Sequence, residues 1–108
     1  MKALPGMRFV LATSFAVRAR GLLGTNADWG DAGRVLVLAP CKSVHTLGMR
    51  YALDIAFVGR GGIVLRAEQA VPPKRLLACR KATFVLERPH DRTTPWPEAG
   101  DSIPIQLK

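Results

Sequence analysis

Leu53-Asp-Ile-Ala-Phe-Val-Gly-Arg-Gly-Gly-Ile-Val-Leu-Arg-Ala67 decides the fold class of this chain. Leu53 to Val58 is too short for a helix and apolar except at Asp54, as expected of a buried strand. Gly59-Arg-Gly-Gly62 supplies a turn, and Ile63 to Ala67 resumes the apolar texture, so the stretch predicts a β-hairpin with a glycine-rich turn. The glycines lead into a strand and not into a helix. They therefore do not form a phosphate-binding loop, and neither Gly-x-Gly-x-x-Gly nor a Walker-type lysine loop occurs elsewhere.

Similar short runs lie on both sides. Met7 to Ala12, Arg34 to Ala39 (closed by Pro40) and Ala82 to Glu87 each read as a strand, and Ile103 to Leu107 as a last one whose Pro104 points to a sheet edge. Between the first two, Thr13 or Ser14 can cap a helix in which Phe15, Ala19, Leu22 and Leu23 share one face, ending at Gly24. Gly21 costs such a helix about 1 kcal/mol relative to alanine, so close packing or an early end is expected there. Thr25 to Gly33 reads as a loop, and Pro72-Pro73 interrupts the strand pattern. Some six strands with one short N-terminal helix predict a mainly β (α+β) chain, its antiparallel sheet curled into a small barrel or sandwich.

The chain has 108 residues, enough for one modest core, so a single domain over 1–108 with an ordered core at about 7–107 is expected. A net charge of +8 favours an anionic partner through long-range attraction but names none. Lys2, Arg8 and the apolar run from Phe9 to Val17 superficially resemble a secretory signal. Thr13-Ser14 interrupts the run, no small-x-small cleavage site follows, and Arg18-Ala19-Arg20 succeeds it directly. Nothing reaches the roughly 18 apolar residues of a membrane span. A cytoplasmic protein without a transmembrane segment is expected, with export left open. Cys41 and Cys79 could pair only if their Cα atoms lie within about 7 Å, and the expectation is two reduced, partly buried thiols.

Chemistry-bearing side chains concentrate in Pro40 to Phe57. Cys41, His45 and Asp54 are weak catalytic candidates. In an extended strand the Cα atoms of Cys41 and His45 stand roughly 13 Å apart, and only a loop or helical turn would join them. Cys41, Cys79, His45 and His90 match no zinc spacing, so no metal and no cofactor are expected. Asp54, at the head of an apolar strand, needs partners if buried, and Arg50 and Arg20 are the cations at hand. Lys74, Arg75, Arg80 and Lys81 form the densest basic cluster and could meet phosphates, but no aromatic residues are interleaved with them.

Ala19-Arg-Gly-Leu-Leu-Gly24, Ser43-Val-His-Thr-Leu-Gly-Met49 leading to Leu53-Asp54 and Phe57, Val85-Leu-Glu87 and Gly100-Asp101 resemble the family known as domain of unknown function 192. The resemblance runs roughly from Phe9 to Leu107 and implies a compact, mainly β domain with a barrel-like sheet and no established reaction. Many relatives carry Phe-Trp-Met where Val44, His45 and Thr46 stand, which makes His45 replaceable and favours Arg20 and Asp54 as carriers of a common role. The chain departs from the family pattern at Ala52, at Gly59 and at Pro89-His-Asp. The leading expectation is a non-catalytic β domain that binds an anionic or polar ligand, or a protein partner, through Arg20, His45, Thr46, Arg50 and Asp54. An enzyme using Cys41, His45 and Asp54 is the alternative, and nucleic-acid binding through residues 74–81 comes third.

Overall fold

The structure, a computed structural model, describes residues 6–105, without the side chains of Phe15 and Val17. The expected hairpin is its centre. Strand β4 (Leu53–Val58) is buried along its whole length, and β5 (Val64–Val71) pairs with it antiparallel. The turn between them is a short 3-10 segment, Arg60–Gly62, in which Gly61 and Gly62 take φ of +76° and +78°. The Gly62 carbonyl accepts a hydrogen bond from the Ile103 N–H, which brings the C-terminal segment onto the turn.

Five strands make the main sheet, in the order β1-β2-β7-β4-β5, with β1 at Arg8–Ala12, β2 at Arg34–Leu38 and β7 at Phe84–Pro89. Both ends of this sheet are open edges, so it is not a barrel but half of a sandwich-like packing. The antiparallel expectation holds for three of its pairings, while β1 lies parallel to β2. Parallel neighbours need a long crossover. Helix α1 (Phe15–Arg20) and the 3-10 segment Ala27–Gly33 supply it. Helix α1 stops at Arg20 because Gly21 turns to φ +55°, the left-handed conformation that ends helices.

Two strands escaped the sequence reading. Ser43–His45 (β3) and Leu76–Ala78 (β6) pair into a two-stranded ribbon over one face of the main sheet. Each has a single apolar residue facing inward, Val44 and Leu77, too little periodicity to announce a strand. Conversely, residues 103–105 are not a strand: they attach through one isolated bridge, Ile63 to Ser102, and the Ile103 N–H. Pro104 has no N–H to extend that pairing. Residues 106 and 107 of that expected strand lie outside the described residues.

The central strands β2, β7 and β4 are buried on both sides, which explains their apolar runs, interrupted only by Asp54, Glu87 and Arg88. Leu36, Leu38, Leu53, Ile55, Phe57 and Val85 face the ribbon and the end of α1, packing with Val44, Leu77, Leu22 and Met49. Val35, Val37, Ala56, Val58 and Leu86 face the opposite way, under Trp96 and Ile103. The Trp96 indole N–H donates to the Ile55 carbonyl at 3.1 Å, fixing the C-terminal cover. No helix among the described residues is long and apolar enough to cross a membrane.

The hairpin turn gives a graded test. A Cβ on Gly61 meets open space, so Gly61→Ala is expected to cost only the left-handed penalty of about 1–2 kcal/mol. A Cβ on Gly62 would lie 2.7 Å from the Ile103 carbonyl oxygen, so Gly62→Ala is expected to cost roughly 1 kcal/mol more through forced displacement. Urea unfolding of the two variants measures the difference.

Candidate functional site

Alternation along the β4–β7 ladder sets where the polar side chains go. Asp54 pairs with Arg88 across the strands, and Ile55 pairs with Glu87 one step along. Successive side chains point to opposite faces. Asp54 and Arg88 therefore share the Trp96 face, while Glu87 shares the face covered by α1 and β3.

Asp54 is fully buried and fully occupied. Its Oδ2 accepts the Arg88 Nε–H at 2.8 Å and the Asp91 N–H at 3.3 Å. Its Oδ1 accepts the Ala70 N–H at 2.9 Å and bonds to His90 Nδ1 at 2.7 Å. The Arg88 guanidinium stacks over Trp96, 4.6 Å from the ring centroid, and donates three further hydrogen bonds, to the Thr94 hydroxyl and carbonyl and to the Asp91 carbonyl. Beside it, Asp91 accepts from the Thr93 hydroxyl and N–H and from the Thr94 hydroxyl, and these bonds hold its carboxyl down at about 2. This network satisfies a buried charge from several sides, as burial requires. The cleft of about 360 Å³ beside it borders Arg88, whose guanidinium is already committed.

Glu87 is the opposite case. It is 2% exposed, and its Oε1 has no hydrogen-bond partner among the described residues. Burial pushes its carboxyl up to about 7, with the Leu22 N–H opposing part of the rise. Gly21 lies against this oxygen so closely that a Cβ there would stand 2.9 Å from Oε1. Glu87 belongs to the lining of a cleft of about 230 Å³ bounded by Arg18, Arg20, Leu22, His45, Met49 and Leu53, among others. The cleft thus combines an apolar wall, a buried protonatable carboxyl and a rim of two guanidiniums and an imidazole. Arg18 is partly used, donating to the Pro40 carbonyl at 2.7 Å and to Ser14 O. The exposed Arg20 side chain makes no hydrogen bond or ion pair among the described residues.

The five residues expected as ligand contacts are thus divided. Arg20 and His45 meet at this cleft. Thr46 is buried as a latch: its hydroxyl donates to Pro72 O at 2.7 Å and accepts from the Arg75 N–H at 2.8 Å. Arg50 is exposed and outside the lining, and Asp54 sits on the other face, paired with Arg88 and His90 and not with Arg20 or Arg50. The same sheet separates Asp54 from Cys41 and His45. The Cys41 thiol donates to Ser43 O at 3.1 Å, and burial raises its pKa, which keeps it protonated and a poor nucleophile. Cys41 and Cys79 are both free thiols. Lys74, Arg75, Arg80 and Lys81 are all exposed. Among the described residues, no three His, Cys, Asp or Glu side chains gather where a metal ion could be held. In the sequence Glu87 stands at the end of an apolar strand and of the family-like segment Val85-Leu-Glu, with no site role expected of it. The signal was a carboxylate continuing a buried run, which requires either a partner or a purpose.

The family whose printed description is "Uncharacterized ACR", domain of unknown function 192, matches residues 4–105. No curated protein matches the sequence. Among solved structures, the chain is similar to a protein of unknown function from Novosphingobium aromaticivorans, with 22% identity and a TM-score of 0.64 over 78% of this chain and 64% of that one. It is also similar to a putative transcription regulator from Sinorhizobium meliloti, with 15% identity and a TM-score of 0.63 over 78% of this chain and 69% of that one. At these identities the likeness concerns the fold. The chain spans just under two thirds of the Novosphingobium protein's length.

Two stability measurements separate the buried carboxylates. Asp54→Ala leaves the Arg88 guanidinium buried and uncompensated, and is expected to cost about 3–5 kcal/mol in urea unfolding. For Glu87 the folded pKa lies above the unfolded one, so the folded chain binds more protons between these values and stability falls as pH rises from 4.5 through about 7. The loss across that window is about 3 kcal/mol. Glu87→Gln is expected to flatten this decline and to be the more stable protein at pH 8; a wild-type stability that stays level from pH 5 to 8 contradicts it.

Proposed function

This chain belongs to the domain of unknown function 192 family, and we propose that it is a non-catalytic binding domain that takes a small anionic ligand in the cleft between α1, β3 and β7. The observation that carries the reading is the buried Glu87 carboxyl with an unused oxygen beneath a cationic rim. Three of the segments that carry the family resemblance converge there: Ala19–Leu22, Ser43–His45 with Met49 and Leu53, and Glu87 at the end of Val85-Leu-Glu. With a volume of about 230 Å³, the cleft is smaller than the roughly 300–1,000 Å³ of drug-sized sites, which suits a small metabolite. Arg20 is the anchor, since a free guanidinium fork matches a carboxylate or phosphate.

The enzyme alternative has no comparable support, because Asp54 is spent on Arg88 and His90 and Cys41 is held as a thiol. Nucleic-acid binding would use exposed residues of the 74–81 segment, away from the cleft.

Titration of the 15N-labelled protein with acetate or inorganic phosphate at low salt tests the reading. Amide shifts are expected at Arg20 to Leu22, Val44, His45 and Glu87, and Arg20→Ala is expected to weaken binding about tenfold, the size of one lost charged hydrogen bond. Shifts confined to Lys74, Arg75, Arg80 and Lys81, with a steep salt dependence for an unrelated DNA duplex, would favour the nucleic-acid reading instead. No shift with either anion sinks the proposal.

A further inference from the structure

The cleft asks for more than negative charge. Its two polar features are different in kind: Arg20 offers only donors at the rim, while Glu87 offers an unused oxygen deep in the wall. A ligand that filled the cleft with an anionic group alone would leave Oε1 unpaired, and an unpaired buried acceptor is costly. A second anionic group aimed inward would face that carboxyl and be repelled. An inward apolar group would satisfy Leu22, Met49 and Leu53 but not the oxygen. A hydroxyl suits the carboxyl in either protonation state, donating to an ionised oxygen or exchanging hydrogen bonds with a neutral one.

We propose that the ligand is a small hydroxycarboxylate, with its carboxylate held by Arg20 and its hydroxyl hydrogen-bonded to Glu87 Oε1. The inference rests on the anion-binding reading above and adds the second contact. One free guanidinium favours a carboxylate over a phosphate dianion, because a single fork satisfies two carboxylate oxygens, whereas Arg18 is already engaged by Pro40 and Ser14. Gly21 packs directly against this oxygen: a Cβ there would stand 2.9 Å from Oε1, so any side chain at position 21 would crowd the hydroxyl contact.

Glycolate and acetate differ by this hydroxyl alone, and their affinities for the full chain are the test, measured by calorimetry or by the same amide shifts. Glycolate is expected to bind about tenfold more tightly. Glu87→Leu is expected to erase that ratio, and Arg20→Ala to weaken both ligands and keep the ratio. Should Glu87→Leu fail to fold, the 13C resonance of the Glu87 carboxyl in the wild type replaces it, expected to move with glycolate and not with acetate. Equal affinities with shifts at the cleft overturn the hydroxyl contact and leave the anion site standing. A glycolate preference that survives Glu87→Leu, or leaves the Glu87 resonance still, overturns the role of Glu87. No binding of either overturns the hydroxycarboxylate ligand, and with inorganic phosphate also failing to bind it overturns the anion site.

Discussion

Strict alternation along the paired strands β4 and β7 is the constraint on which the rest of the molecule depends. Both strands are buried from end to end, so every side chain must go to one covered face or the other. Asp54 and Glu87 lie one step apart across the ladder, and alternation sends them to opposite sides. A slip of one residue would flip the side chains of the strand that moved, placing Glu87 under Trp96 if β7 slipped or Asp54 against α1 if β4 did. The register is held by the apolar sets on each side, with Leu53, Ile55 and Phe57 against the ribbon and Ala56 and Val58 against the C-terminal cover.

Two buried carboxylates in one small sheet make an informative contrast. Asp54 has a guanidinium, an imidazole and two backbone N–H groups, and its region is a structural knot that ties β4, β5 and the segment after β7 together. Glu87 has burial without matching compensation, and its raised pKa is the electrostatic expression of that shortage. A carboxyl left in this state costs stability above neutral pH. Its place in a cleft with an unoccupied arginine at the rim gives that cost a functional reading, since perturbed groups in clefts are where ligands are read.

The hairpin at residues 53–67, the strands near residues 8, 34 and 84 and the short helix were legible because each is long and apolar enough to show its period. The ribbon of β3 and β6 was not, since three-residue strands with one inward side chain carry almost no pattern. Of the site, Arg20 and His45 were legible as polar residues in family-like segments, and Asp54 as a buried charge in need of partners. The partners were misassigned to Arg20 and Arg50 because sequence proximity and charge were the only guides. Arg88 and His90 are 34 and 36 positions away from Asp54, and only strand pairing brings them to it.

By itself, then, the sequence determined the class of the chain: short apolar runs closed by glycine and proline must bury as strands, whatever their order. It also determined that Asp54 would be paired and that a basic surface would favour anions. Tertiary structure alone decided which carboxylate was satisfied and which was left waiting. A side chain's face depends on the register with its neighbour strand, and its environment on what later folds over that face. Glu87 became the centre of the cleft because α1 ends at Gly21 directly above it, a meeting of residues 66 positions apart that no local pattern encodes.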